Sequence, residues 1–489
     1  MAYSIESIEL FVREMPADRM SFGIGKADDS GKAKATKKRR PRAILLTQLT
    51  LKTDGKGVVI GCSGDRPSFG WLDKRPDKTP EEKLTLLLDL VEEARDIYLE
   101  CGKSFETAFD LWLEAEAKVK EKATEMGAED LMGSYASALL ERALIDAVCR
   151  SEKCGFSDAL KQDLLGIKPN DVHPQLQEKA FPISHVWSPR VSYAVRHTVG
   201  LSDPLDEEDW SEEKRINDGE PETLQEYIEA HGLTHFKIKI SGDADADLTR
   251  LGKIWNRCLA QNYESKITLD GNEAYTDIEA FADFVDRFEK ELPGMFDHTL
   301  FIEQPLTRAL THDLSTTRTV RRIAQKKPLV IDEADGTTDA FRRAFAIGYS
   351  GCSHKNCKGV FKSILNKMLC EVFEESTGRD AFLSAEDLSN MSIIPLHQDF
   401  EVVSVLDLEH CERNGHHYAF GMSHLTKKEK MRIMKSHPEM YYVRDGEIFL
   451  KIEGGLLSYF GSAEGFGSDT QPEWEALTPI VKWREKERA

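Results

Sequence analysis

The sequence predicts an α/β protein whose middle alternates short strands with helices, behind a smaller α+β part. Three observations carry this. From about residue 185 apolar strands recur with helical segments between them, which implies a parallel sheet with crossover connections. The first 150 or so residues instead put strands first and helices after. Finally, HFKIKIS (235–241) alternates so that Phe236, Ile238 and Ile240 share one face of a strand while Lys237, Lys239 and Ser241 share the other.

Taken in order, SIELFVREM, AILLTQLTLKT, the turn DGKG and VVIGCS read as an antiparallel meander. TPEEKLTLLLDLVEEARDIYLE follows as a helix, with Thr79 and Glu82 forming a capping box and Pro80 at the first helical position. Two more helices are expected around FETAFDLWLEAEAKVKEKATEM and YASALLERALIDAVCRS. Next come the strand VSYAVRHTVGL, the helix PETLQEYIEAHG with Gly232 as its stop, and then HFKIKIS. The strands KITLDGN, TLFIEQP, PLVIDEA and GCSHKNCKG continue the series, with AFLSAEDLS as a weaker one. YYVRDGEIFLKIEGG reads as a hairpin about Asp445 and Gly446 that packs back on the first domain. The expected domains are 1–184, 185–425 and a C-terminal segment 426–489.

Composition narrows the function. The 489 residues carry 65 basic and 85 acidic side chains, a formal charge of -20, which opposes general attraction to nucleic acid. The local exception, GKAKATKKRRPR (31–42), lacks interleaved aromatics and reads as a solvated loop. The nine cysteines form no CxxC pair, so neither a zinc ribbon nor a disulfide framework is expected. With no signal-like N-terminus and no run of about 18 apolar residues, a reduced, soluble, cytoplasmic protein without membrane or nucleic-acid partners is expected. No P-loop appears, and no GxGxxG follows a strand.

The chemistry lies at the strand ends. From Lys239 the charged residues Asp270, Glu303, Asp332 and Lys355 follow at steps of 31, 33, 29 and 23 residues, about one βα unit each. In a closed (β/α) barrel such positions converge at one end, where barrel enzymes keep their active sites. Three carboxylates there form an oxygen-ligand set for Mg2+. A lysine buried beside a cation has a lowered pKa and can act as a base.

In these motifs, KIK (237–239), LDGN (269–272), IEQP (302–305), IDEA (331–334) and HKNCKG (354–359), the sequence resembles the enolase superfamily, and within it the muconate lactonizing enzyme-like branch. The resemblance implies a modified (β/α) TIM-type barrel with an N-terminal α+β capping domain completed by the C-terminal segment. It implies Asp270, Glu303 and Asp332 as Mg2+ ligands, Lys239 as the base on one face of the substrate, and Lys355 as acid or base on the other. Lys237 would help depress the pKa of Lys239 and touch the substrate carboxylate, while Asn272 and Glu333 would orient a lysine or ligand. Sequence alone leaves Asp332 and Glu333 both open as third ligand, and the family pattern favours Asp332.

The implied reaction is Mg2+-dependent abstraction of a proton α to a carboxylate through an enediolate, by a racemase, epimerase or cycloisomerase. The alternatives are a lyase or dehydratase using the same intermediate, and a non-catalytic barrel acting as a binding protein. A small-molecule carboxylate and self-association into a homo-oligomer are expected partners.

Several features depart from the family or stand outside this reading. Gly359 is followed by Val360 where a Gly pair is typical, and no acidic DxD lies near the last strand. Glu386 and Asp387 read equally as a substrate contact and as a solvated loop, and SGDRPSFGW (63–71) equally as a lid and as a surface loop. His410, His416 and His417 read as structural or exposed, the last two on opposite faces of a strand. Met431, Met434 and Met440 read as a packing face of a helix and its continuation.

Overall fold

The structure is a computed structural model that describes residues 2–16, 18–20, 43–177, 181, 187–209 and 215–488. The basic stretch 31–42 lies outside the described residues. All nine cysteines are free. No helix among the described residues is long and apolar enough to cross a membrane.

The leading part is the expected meander. β1 (Tyr3–Glu14), β2 (Ala43–Thr53) and β3 (Gly57–Asp65) pair antiparallel, with Thr53 opposite Gly57 across the tight turn. After the single helical turn α1 (Phe69–Leu72) comes α2 (Pro80–Cys101), where the Thr79 hydroxyl accepts from the Glu82 N–H and the Glu82 carboxylate accepts from the Thr79 N–H. α3 (Ala108–Glu125) and α4 (Asp130–Glu152) complete the layer.

α4 starts five residues before the apolar stretch that announced it. It is buried on nearly every face because it lies between two bodies. Towards the cap sheet, Arg142 donates to the Gly64 carbonyl and pairs with Asp65. Towards the barrel, Glu141 accepts the Phe361 N–H at 2.7 Å. A helix enclosed this way loses the polar stripe by which surface helices are recognised.

The barrel is built from eight parallel strands: β4 (Ser192–Val199), β5 (His235–Lys239), β6 (Lys266–Asp270), β7 (Thr299–Glu303), β8 (Leu329–Ile331), β9 (Gly351–His354), β10 (Phe382–Ala385) and β11 (His410–Glu412). Consecutive strands are neighbours, and β11 pairs with β4 to close the ring. Gly232 ends the helix Leu224–His231 at φ 66°, a left-handed turn that leads straight into β5. Phe236, Ile238 and Ile240 are fully buried on the outer side, beneath the surrounding helices.

The hairpin β12 (Tyr441–Arg444) and β13 (Glu447–Leu450) turns at Asp445 and Gly446 as expected. Its contacts differ from expectation: Arg444 pairs with Glu220, Glu447 with Lys430, and Ile448 with Met422. The return to the cap is made on either side of it. Glu429 forms a bidentate pair with Arg13, and β15 (Thr478–Pro479) pairs antiparallel with Val12 and Phe11. Between them β14 (Leu456–Ser458) adds antiparallel to the first half of β4. Within the helix Lys427–Ser436, Met434 packs on the core while Met431 is 73 % exposed, so the methionine face is only partly buried.

His416 and His417 sit side by side on the helical turn Gly415–Tyr418 rather than on opposite faces of a strand. Their rings are 4.1 Å apart, and His417 packs on His197 and Tyr227. His410 lies elsewhere, with its Nδ1 2.9 Å from Arg196.

Candidate active site

Register alone brings the sequence-predicted side chains together. Lys239 is opposite Asp270 and Asp270 opposite Glu303, each the last residue of its strand. Asp332 and Lys355 follow β8 and β9 by one residue. These five charged candidates therefore stand at the C-terminal rim of one barrel.

Lys237 is the hub. Its ammonium lies 3.0 Å from Asp270, 2.8 Å from Glu303, 2.6 Å from Glu386 and 3.0 Å from Glu412. An ammonium has three N–H donors, and here four carboxylates face them. Burial alone would lower the Lys237 pKa, but these carboxylates hold it well above the ordinary lysine value. Lys237 is thus a fixed cation at the centre of the site.

Lys239, two residues on, is differently placed. It shares Asp270 Oδ2 with Lys237 and donates to Asn272 Oδ1 at 2.6 Å. Asn272 in turn donates to Glu333 Oε1 at 3.0 Å, and its backbone N–H binds Asp270 Oδ1 at 2.8 Å. The LDGN turn needs its glycine, because a Cβ on Gly271 would come within 2.8 Å of the Pro305 Cα. Asn272 itself has φ 42°, a left-handed conformation that asparagine tolerates better than most residues.

On the opposite wall Asp332 accepts from Lys355 at 2.6 Å, from Lys358 at 3.3 Å and from the Ser353 hydroxyl. Burial opposes the charge on Asp332, yet the two lysines hold it well below the usual carboxylate range. The same pairing carries the Lys355 pKa upward despite burial, opposite to the lowering expected of a lysine beside another cation. Gln304, at φ 34°, fixes this loop by accepting the Asp332 and Ala334 N–H groups. Glu333 turns away from Asp332 towards Asn272 and the cap lysine Lys74.

Sequence reasoning missed the rest of the ring. Arg196 on β4 is fully buried and pairs with Glu386, with a further bond to the Ala385 carbonyl at 2.9 Å. Glu412, the last residue of β11, accepts from Thr198 at 2.6 Å and Asn414 at 2.8 Å besides Lys237. Glu386 and Asp387 do not form a solvated loop. Both are buried, Glu386 on Lys237 and Arg196, and Asp387 on Arg413 at 3.1 Å. SGDRPSFGW is neither wholly loop nor free surface: its first three residues end β3, and Trp71 covers Lys355 with the ammonium 4.1 Å from the ring centre.

The donor set fits a hard divalent cation in its chemistry, with carboxylates from three adjacent strands. Burial and the Asp270 and Glu386 charges push Glu303 well above the ordinary carboxylate range, so that group would gain from a further positive charge. The fit does not extend to a preformed cage. Among the described residues no three His, Cys, Asp or Glu side chains are disposed as metal ligands, and Lys237 bridges Asp270 and Glu303.

Residues 221–357 match the family model described as enolase C-terminal domain-like. No curated protein sequence matches significantly. Among solved structures, a mandelate racemase/muconate lactonizing enzyme from Bordetella bronchiseptica RB50 is similar at 14% identity and TM-score 0.59, over 97% of this chain and 99% of that one. The dipeptide epimerase from Enterococcus faecalis V583 is similar at 12% identity and TM-score 0.55, over 95% and 99%. The L-Ala-D/L-Glu epimerase from Bacillus subtilis is similar at 14% identity and TM-score 0.55, over 95% and 98%. At these identities the likeness to the solved structures is one of fold. Residues 221–357 thus match the enolase C-terminal domain-like family model, and the whole chain carries the same capped-barrel fold as these solved structures.

Proposed function

We propose that this protein is an isomerase that removes a proton α to a carboxylate and returns it, as a racemase, epimerase or cycloisomerase. One observation carries the reading. In a closed ring of eight strands, β5 and β9 are four strands apart, so Lys239 and Lys355 rise from opposite walls of the same mouth. A substrate between them has one lysine towards each face of its α carbon.

In this reading Mg2+ is held by Asp270, Glu303 and Asp332, and when bound it supplies charge stabilisation for the substrate carboxylate as negative charge develops. Lys239 takes the proton, with its Nζ aimed by Asp270 and Asn272. Lys355, kept protonated by Asp332, gives a proton to the opposite face. Lys237 balances the inner carboxylates throughout.

The upward shift of Lys355 favours one specific second reading. With Lys355 acting only as a cation, Lys239 alone would support a lyase or dehydratase, by syn elimination through the same intermediate.

Solvent deuterium wash-in, measured over amino acid derivatives, dipeptides, sugar acids and lactones with Mg2+ present, tests both. Exchange lost in Lys239→Ala and in Lys355→Ala supports two-base chemistry, while exchange lost only in Lys239→Ala supports the one-base form. Mg2+ binding unchanged by Glu303→Ala, with no exchange in any substrate, would sink the catalytic reading in favour of a binding protein.

A further inference from the structure

One short cap segment reaches both acid–base lysines. Leu72 and Asp73 are fully buried and hold it in place, Asp73 by a pair with Arg75 and Leu72 through its carbonyl, which accepts from Arg308 of the barrel at 3.2 Å. From this anchor two side chains diverge. Trp71 lays its ring over the Lys355 ammonium at 4.1 Å. Lys74 donates to Glu333 Oε1 and to the Asn272 carbonyl, both at 2.7 Å.

The second contact is one end of a continuous chain. Lys74 binds Glu333, the same Glu333 oxygen accepts from Asn272 Nδ2 at 3.0 Å, and Asn272 Oδ1 accepts from Lys239 at 2.6 Å. Asn272 is thereby held at three points: its side-chain amide on both sides and its carbonyl by Lys74. An amide fixed this way has one orientation, with oxygen towards Lys239.

We propose that Trp71 and Lys74 are positioning residues, through which the seated cap sets Lys355 and Lys239 respectively. The assignment of acid–base roles to those lysines rests on the proposed function. The geometric claim does not, and it separates from it in experiment. Each prong addresses one wall, so loss of one prong disturbs one lysine. A cap segment that merely covered the mouth would expose both together.

Competitive acetylation at low extent with an N-hydroxysuccinimide ester, read by peptide mass spectrometry against the exposed Lys103 and Lys428, makes the test. Lys74→Met is expected to raise labelling of Lys239 by about tenfold, the effect of losing one hydrogen bond to a charged group, with Lys355 unchanged. Trp71→Leu is expected to do the reverse, and Lys74→Arg to restore the wild-type ratio. Equal change at both lysines in either variant, or change at neither, overturns the proposal. Where wash-in identifies a substrate, Lys74→Met should lower kcat for proton removal on the Lys239 face with KM little altered, and Trp71→Leu the opposite face. If the wild type exchanges nothing, the functional reading falls while the labelling pattern still decides the role of the segment.

Discussion

The two halves of the barrel rim hold similar residues in opposite circumstances. The half from β5 to β9 carries Lys239, Asp270, Glu303, Asp332 and Lys355 and meets the cap through Trp71 and Lys74. The half made by β10, β11 and β4 carries Glu386, Glu412 and Arg196, all sealed beneath other protein groups. In the first half Lys239 retains 12% side-chain exposure, whereas Arg196 and Glu386 have none. The second half faces the Lys237 ammonium. Its task is electrostatic, since Glu386 and Glu412 hold the Lys237 cation that faces Asp270 and Glu303. A rim of this kind divides labour between a working arc and a counter-charge arc.

That division can be broken at either arc. In the working arc, Lys239→Ala should cut exchange on one substrate face by about 10³-fold, within the range for a lost general base, with a smaller loss of stability because Asp270 keeps its pair with Lys237. In the sealed arc, Glu412→Gln should cost about 1.5–3 kcal/mol in denaturant unfolding, because it weakens the charge-assisted hydrogen bonds from Lys237, Thr198 and Asn414. Arg196→Met should show the same order of loss, through Glu386. A comparable loss of stability in Lys239→Ala, or none in Glu412→Gln, would erase the distinction.

A pH measurement sharpens it further. Glu141 holds the Phe361 N–H behind the Lys355 loop, and burial pushes its pKa to about 8. A folded pKa above the unfolded one means that this stabilising contribution is complete below pH 4.5 and is lost as pH rises through 8. Unfolding by denaturant at pH 6 and pH 9 should show the loss, and Glu141→Gln should flatten it. The smallest expected effect belongs to the outer cap: Thr79→Ala removes a helix cap worth about 1 kcal/mol and should leave exchange untouched.

The working arc was legible in the sequence because its chemistry is periodic. Lysine and carboxylates recur at one βα unit, each just after a run of apolar strand residues, and helix ends such as Gly232 mark the units. The counter-charge arc has no such mark. Arg196 sits in a strand that reads as ordinary alternation, and β11 is three residues long, too short for a pattern around Glu412. Glu386 and Asp387 look solvated because nothing local reveals Arg196 or Arg413, which lie 190 and 26 residues away. Trp71 and Lys74 gain meaning only from barrel groups met in the tertiary fold. The helical turn at His416 and His417 is hidden in the same way, because the partners of the His417 ring, His197 and Tyr227, are distant in sequence.

The strand pairing of β4 has a consequence for how the chain is made. Along one edge its second half bonds to β5 and its first half to β14, whose residues are 456–458. β1, at the other extreme of the sequence, completes its pairing with Thr478 and Pro479. During synthesis on a ribosome the earliest strands of both domains must therefore wait, edges open, until more than nine-tenths of this sequence has emerged. Exposed strand edges are the species that chaperones and aggregation compete for. The vulnerable period in the life of this protein is thus the span of its own translation.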